Sequence, residues 1–117
     1  MLLQRLHDRY GAALPPIIFT EGGASFPDEP DADGQVRDAD RVDYLDAHLR
    51  VALAGVPGVR VGGYLVWTFT DNVEWSAGWT QRFGLVYVDR DTLERTPKDS
   101  YRWLRSIQHS RRTPRAL

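Results

Sequence analysis

The chain has 117 residues, of which 42% are hydrophobic, and this length and composition are typical of one globular domain. Its formal net charge of −1 at pH 7 provides no electrostatic attraction to nucleic acid or to a membrane, so neither is expected as a partner. The sequence contains no cysteine, which excludes a disulfide framework, a thiolate metal site and a cysteine nucleophile.

The beginning of the chain does not have the pattern of a secretion signal. Arg5, Asp8 and Arg9 lie where a signal peptide needs its apolar segment. No window approaches the roughly 18 apolar residues of a membrane span. The cytoplasm is therefore the expected location.

A helix and then a strand are predicted first. Apolar residues recur at helical spacing over residues 2–14, and Gly11 is expected to end the helix. Pro15-Pro16 fix an extended backbone before residues 17–20, a β-branched apolar run typical of strands buried on both faces of a parallel sheet. Glu21 lies at the carboxyl end of this strand.

A long loop and a second helix follow. Residues 22–40 are rich in Gly, Pro and Asp, and loops of this length are usually functional. Apolar residues between 42 and 53 mark one face of a helix, which we expect Asp40 to cap and Gly55 to end. His48 lies near that face. A single helical His with no second His one turn away is more often packed or at the surface than a ligand, so no metal site is expected.

Residues 59–66 form the second predicted strand, which carries Trp67 at its carboxyl end. Because a helix connects the two strands, they should be parallel and joined by a right-handed crossover. Residues 83–88 alternate like a further short strand, with a turn at residues 89–91.

The last helix is predicted from its start signals. Thr96 is expected to be the N-cap, with Pro97 at the first helical position and Asp99 three residues after the cap. Residues 108–117 are predicted to be a flexible tail.

The stretch behind the second strand is the richest in chemistry. Residues 67–75 read Trp-Thr-Phe-Thr-Asp-Asn-Val-Glu-Trp, and residues 78–89 read Gly-Trp-Thr-Gln-Arg-Phe-Gly-Leu-Val-Tyr-Val-Asp. Indole rings cover the C–H faces of a pyranose while carboxylates accept hydrogen bonds from its hydroxyls, so this composition indicates a sugar site. The alternative is that the Trp side chains only fill a core.

These residues resemble the C-terminal signature of the family 1 glycoside hydrolases, the β-glucosidase family, which reads W-S-L-L-D-N-F-E-W-x-x-G-Y-x-x-R-F-G-L-x-Y-V-D. Residues 19–23, Phe-Thr-Glu-Gly-Gly, are similar to a second family motif, I-T-E-N-G. Two motifs in the right order, separated by one strand and one helix, are a specific signal. The resemblance extends from about residue 2 to about residue 107.

The resemblance implies an α/β fold, the TIM (β/α)₈ barrel, which needs about 250 residues. The chain, residues 1–117, would then be a single partial domain that supplies the C-terminal quarter of such a barrel, about two βα units. The expected protein partner is then the missing N-terminal barrel segment, supplied in the same chain or in another one.

By resemblance, Glu21 is the nucleophile of a retaining glycosidase, which attacks the anomeric carbon and forms a covalent glycosyl-enzyme intermediate. The expected substrate is a β-glucoside or a short oligosaccharide. The side chains expected to contact it are Trp67, Glu74, Trp75 and Phe83. Asp71 and Asn72 would support the loop through backbone hydrogen bonds. The sequence leaves open whether Arg82 pairs with Asp71, pairs with Glu74 or reaches solvent.

Three further features qualify the site. The family's general acid belongs to an Asn-Glu-Pro motif on a much earlier strand. Asp28-Glu29-Pro30 is the only similar triplet here, and we interpret it as a coincidence because it lies in a loop.

Gly22 stands where the family usually has Asn, a change expected to loosen the loop or alter the rim of the site. A carboxylate at Glu74 would repel a phosphate dianion, so a non-phosphorylated sugar is favoured.

Two functions remain open at this point. The first is β-glucosidase-type hydrolysis of O-glycosidic bonds by a retaining mechanism, in which this chain carries the nucleophile and the sugar-binding loop but not the general acid/base, and is inactive alone. The second is a catalytically inactive remnant that binds saccharide weakly or serves as an interaction module. Neither function is expected to need a cofactor or a metal.

Overall fold

A computed structural model describes residues 2–110. Three helices and four strands follow one another in the order α1 Leu2–Tyr10, β1 Ile17–Gly22, α2 Ala39–Ala54, β2 Val61–Val66, β3 Val86–Val88, β4 Arg95–Pro97 and α3 Asp99–Ser110, with a short 3₁₀ turn at Gly11–Ala13. No helix in this described range is long and apolar enough to cross a membrane.

Strands β1 and β2 are parallel neighbours, as their helical connection predicted. Phe19 is the partner of Tyr64, and their ring centroids lie 5.5 Å apart. The register shifts between Phe19 and Gly22, after which Gly22 pairs with Val66. The carboxyl ends of the two strands therefore lie side by side, and Trp67 N donates to Gly22 O across them at 3.0 Å.

Helix α2 ends where it was predicted to end but begins differently. Gly55 adopts a positive φ of 64° and its N–H donates to Val51 O, as expected of a C-terminal glycine. The prediction of Asp40 as the N-cap is wrong, because Asp40 lies inside the first turn and Asp38 precedes the helix. Asp38 does not cap its own helix with its side chain, which instead receives hydrogen bonds from Ser100 and Arg41.

The start of the last helix also differs from its prediction. Thr96 and Pro97 lie in β4, which pairs antiparallel with β3 and places Thr96 opposite Tyr87. Helix α3 begins only at Asp99 and runs to Ser110, so the first residues of the expected tail are helical, whereas residues 111–117 lie outside the described residues. The turn expected at residues 89–91 is present, because Asp89 Oδ1 accepts hydrogen bonds from Asp91 N and Thr92 N.

Among the residues that the structure describes, the sheet of β1 and β2 is covered on one face only. Phe19 and Tyr64 point toward α2, where they line a cavity with Tyr44 and His48. On the other face Ile18 and Leu65 are 56% and 57% exposed, so the expectation of strands buried on both faces is not met within this chain. The molecule is a slab 19 Å thick with a radius of gyration of 17.0 Å, against about 13 Å for a compact domain of 100 residues.

Candidate active site

The first predicted site residue, Glu21, lies beside the last residue of β1 and is exposed. Its neighbour Gly22 pairs with Val66 and accepts the hydrogen bond from Trp67 N. The structure therefore brings the predicted nucleophile and the start of the predicted sugar-binding loop to the same end of one parallel sheet. In α/β barrels this carboxyl end is where catalytic groups converge.

Trp67 and Glu74 contact each other across the loop. Trp67 Nε1 donates to Glu74 Oε1 at 3.3 Å, and the Trp67 side chain remains partly exposed. The backbone of Glu74 is fixed by a tight turn, since Glu74 N donates to Gly78 O at 2.8 Å and Gly78 N donates to Glu74 O at 2.7 Å. Gly78 has a φ of 60°, which a residue without a β-carbon adopts at little cost.

Trp75 and Phe83 occupy different surroundings. Trp75 is fully exposed at the loop tip, and Phe83 is half-buried, with its carbonyl accepting from Thr68 N at 3.3 Å. A fully exposed indole is available for a ligand. The Trp67–Glu74 pair and the Trp75 ring thus present polar and apolar surface on one loop.

Asp71 supports this loop from beneath. It is buried, its Oδ1 accepts from Gly84 N at 2.8 Å, and its Oδ2 accepts from Arg82 Nη1 at 3.0 Å. The question left open for Arg82 is therefore answered, because it pairs with Asp71. Asn72 differs from its prediction: within the described residues its Oδ1 is buried and has no hydrogen-bond partner.

Sequence reasoning missed Lys98, which is completely buried. Its ammonium group donates to Asp28 Oδ2 at 2.6 Å and to Asp71 Oδ1 at 3.0 Å. Arg41, also buried, pairs with the same Asp28 oxygen at 2.7 Å. Asp28 is thus enclosed by two cations, while Glu29 beside it is exposed on the loop after β1.

Two glycines beside Glu21 are in close contact with β2. A β-carbon on Gly22 would lie 2.1 Å from the hydroxyl oxygen of Tyr64, so the Tyr64 side chain fills the space that a residue larger than glycine would need. A β-carbon on Gly23 would lie 1.8 Å from the carbonyl oxygen of Trp67. Burial raises the pKa of the Tyr64 phenol, with a smaller contribution from Tyr44.

Among residues 2–110, no group of three or more His, Asp or Glu side chains is arranged to hold a metal ion. His48 is exposed where it lines the cavity beside Tyr44, and its Nδ1 is 2.7 Å from Tyr44 O.

Comparison with known proteins identifies the family. The sequence profile described as glycosyl hydrolase family 1 matches residues 1–113. The chain belongs to glycosyl hydrolase family 1. This membership confirms the resemblance of residues 19–23 and 67–89 to the two family motifs.

Individual family 1 proteins match most of the chain. Beta-glucosidase A of Thermotoga maritima is 41% identical over 107 residues, which are 91% of this chain and 24% of that protein. The bifunctional beta-D-glucosidase/beta-D-fucosidase of Bifidobacterium breve is 43% identical over 117 residues, covering 94% of this chain and 25% of that protein. The solved structure of the Thermotoga maritima beta-glucosidase in complex with glucoimidazole has a TM-score of 0.86 at 40% identity, covering 92% of this chain and 24% of that one.

This family 1 chain spans about a quarter of the length of the curated relatives it matches. Its fold is part of the TIM (β/α)₈ barrel of those structures, with β1 and β2 as neighbouring parallel barrel strands. The interior of a complete barrel is filled by side chains from all of its strands. Because this chain supplies only part of the barrel, Ile18 and Leu65 remain exposed on one face of the sheet.

Proposed function

We propose that this chain contributes the nucleophile and the sugar-binding loop of a retaining β-glucosidase whose remaining strands supply the general acid. The observation that carries the proposal is that Glu21 and Trp67 lie at the carboxyl ends of two neighbouring strands, with Trp67 hydrogen-bonded to Glu74. Family membership supports the reaction class, and the names of the relatives support a β-glucoside or a short oligosaccharide as substrate.

In the proposed reaction, the ionised carboxylate of Glu21 attacks the anomeric carbon of the sugar. The bond to the aglycone oxygen breaks as that oxygen takes a proton from the general acid, and an ester bond joins the sugar to Glu21. A water molecule then attacks the anomeric carbon while the same group, now acting as a base, takes its proton, and Glu21 leaves as a carboxylate. The second carboxyl group would lie about 5 to 5.5 Å from Glu21, as in other retaining enzymes.

Asp28-Glu29-Pro30 is a poor source of that acid. Asp28 is buried, and its Oδ2 is held by Lys98 at 2.6 Å and by Arg41 at 2.7 Å, so its carboxyl group is not open to a sugar. Glu29 is exposed on the loop between β1 and α2, with no strand to aim it at the sugar. We therefore assign the acid to the part of the barrel outside this chain.

In this proposal the other site residues bind the sugar. Trp67 forms a platform under the sugar ring, and Glu74 accepts hydrogen bonds from its hydroxyls. Trp75 donates its indole N–H to a further hydroxyl, which its full exposure allows. Phe83 lies toward the C6 side of the sugar. The negative charge of Glu74 disfavours a phosphorylated substrate.

The experiment is hydrolysis by a complete barrel. The full 117-residue chain is fused behind the first three quarters of Thermotoga maritima beta-glucosidase A, in place of the quarter that it matches. Release of an aryl leaving group from an aryl β-glucoside is expected, and Glu21→Gln should reduce it to background. Glu29→Gln is the control and should leave the rate unchanged. A folded fusion without hydrolysis would contradict the proposal.

The alternative is a module that binds saccharide without hydrolysis, or one that acts only through interactions. It is favoured by the fully exposed Trp75 together with the lack of a placed general acid in the described chain. Titration of the free chain with cellobiose distinguishes binding from interaction alone, since the exposed indole fluorescence responds to a stacked sugar.

A further inference from the structure

Lys98 is completely buried, which is rare for a lysine unless it is paired. It lies between β4 and α3, far from both acids in sequence, yet its ammonium group contacts Asp28 and Asp71 together. Asp28 belongs to the loop that follows Glu21, and Asp71 belongs to the loop that follows Trp67. Lys98 therefore joins the two loops that carry the proposed site.

The charges around Lys98 balance within one buried cluster. Its acids are Asp28, Asp38 and Asp71, and its bases are Arg41, Arg82 and Lys98. Replacing a buried ionic group by apolar residues of similar volume is often neutral or stabilising, so such a cluster is weak evidence for a stabilising role. A requirement for a defined geometry explains the presence of this buried cluster better than a stabilising role does.

Backbone hydrogen bonds also connect Lys98 to two parts of the sugar-binding loop, one at residues 68–71 and the other at residues 84–86. Lys98 N donates to Leu85 O at 3.0 Å, and Leu85 N donates to Thr68 O at 3.0 Å. Asp71 N donates to Val86 O at 3.0 Å, and its side chain receives Gly84 N. Since Glu74 follows Asp71 by one short segment, the location of Asp71 fixes where that segment begins.

We propose that Lys98 is a positioning residue that sets the placement of the loop carrying Glu74 relative to the loop that follows Glu21, through Asp71 and Asp28. The proposal rests on the proposed function for its consequence in catalysis. Lys98 itself contacts no substrate. Its removal should let Asp71 shift, and a displacement of about 1 Å can cost on the order of 10²-fold in rate.

Three variants of the fusion enzyme separate positioning from stability. Lys98→Met removes the charge and keeps much of the stem, which leaves the cluster with three acids and two bases. Lys98→Met with Asp28→Asn restores charge balance but not the link between the loops. Arg37→Met is the control, since Arg37 pairs with Asp31 on the exposed part of the long loop.

The expected result is a melting temperature that falls in Lys98→Met and largely recovers in the double variant. The value of kcat/KM should fall by about 10²-fold in both, with most of the loss in kcat, and should be unchanged in Arg37→Met. Recovery of kcat/KM along with the melting temperature would show that Lys98 is only structural, and would overturn the proposal. So would a kcat/KM in Lys98→Met within twofold of that of the parent fusion.

A second readout does not depend on hydrolysis. With 5-fluorotryptophan incorporated, the ¹⁹F resonance of Trp67 is assigned from its loss in Trp67→Phe and reports the loop geometry directly. It should shift in Lys98→Met and in the double variant but not in Arg37→Met. If the parent fusion is folded but inactive, the proposed function fails, and this resonance alone decides: a shift supports the positioning role and an unchanged resonance overturns it.

Discussion

Gly23 and Trp67 touch through their backbones, so closely that a β-carbon on Gly23 would overlap the Trp67 carbonyl oxygen at 1.8 Å. Neither group can move by a simple side-chain rotation, because the obstacle is main chain. The residue two positions after Glu21 thus determines how near the end of β1 approaches the end of β2. Only glycine permits this approach.

Gly23→Ala should therefore separate Glu21 from the sugar-binding loop. We expect a loss of about 1 to 3 kcal/mol in the free energy of unfolding of the fusion enzyme, as for other overpacked sites, together with a lower kcat/KM. Gly62→Ala is the matched control on β2, since the nearest atom to its added carbon lies at 3.8 Å. Denaturant unfolding measures the stability of both variants. Equal stability of Gly23→Ala and Gly62→Ala would contradict the close contact between Gly23 and Trp67.

Glu74→Gln tests the carboxylate that is proposed to contact the sugar. A neutral amide of the same shape accepts hydrogen bonds less strongly than a carboxylate, and the lost difference should grow as the sugar distorts toward the transition state. We expect kcat/KM for an aryl β-glucoside to fall by about 10- to 100-fold, corresponding to the loss of one or two hydrogen bonds to a charged group.

The control for this variant is Glu94→Gln, because Glu94 is an exposed acid in the turn between β3 and β4. It should leave the kinetics unchanged. Rate and affinity unaltered in Glu74→Gln would remove Glu74 from the sugar site.

Much of the fold follows from local patterns. The first helix, the two parallel strands and the end of α2 at Gly55 were all predicted, because periodicity and glycine placement act within a few residues. The start of α3 was not. Thr96-Pro97 is a common helix start, but in this fold the pairing of Thr96 with Tyr87 outweighs that local preference.

The support of the site was harder to predict than the site itself. Glu21 and Trp67 follow apolar runs, so their location at strand ends can be inferred from pattern. Lys98 lies among polar residues that suggest a solvated helix start, and its burial depends on Asp28 and Asp71, which are distant in sequence. Pairings of this kind arise from the tertiary arrangement and leave no local pattern.

The free chain should associate with itself. Ile18 and Leu65 expose apolar surface on one face of the sheet, and β1 and β2 each have one edge without a partner strand among the described residues. Unpaired edges beside apolar faces favour pairing between copies. Size-exclusion chromatography should show oligomers or aggregates, and Leu65→Ser should shift the distribution toward monomer. A sharp monomeric peak with a cooperative melt would contradict this expectation.

Glu21 can be tested as the nucleophile by trapping its covalent intermediate. The free chain should not hydrolyse an aryl β-glucoside that has a poor leaving group, because general acid catalysis typically contributes 10²- to 10⁴-fold and no acid among residues 2–110 is placed to protonate the departing oxygen. An acidic leaving group needs less of that help. In the fusion enzyme, a 2-deoxy-2-fluoro β-glucoside with a dinitrophenolate leaving group should therefore react with Glu21 and form a stable ester.

Intact mass and peptide mapping identify the labelled residue. We expect one added fluoroglucosyl group on the peptide that contains Glu21, and no label in Glu21→Gln. The neighbouring acids Glu29 and Glu74 provide the internal comparison. A label on either of them with Glu21 unmodified would reassign the nucleophile. A folded fusion that binds sugar but takes up no label would instead favour the non-hydrolytic alternative, because the ester needs an ionised carboxylate at the anomeric carbon and binding does not.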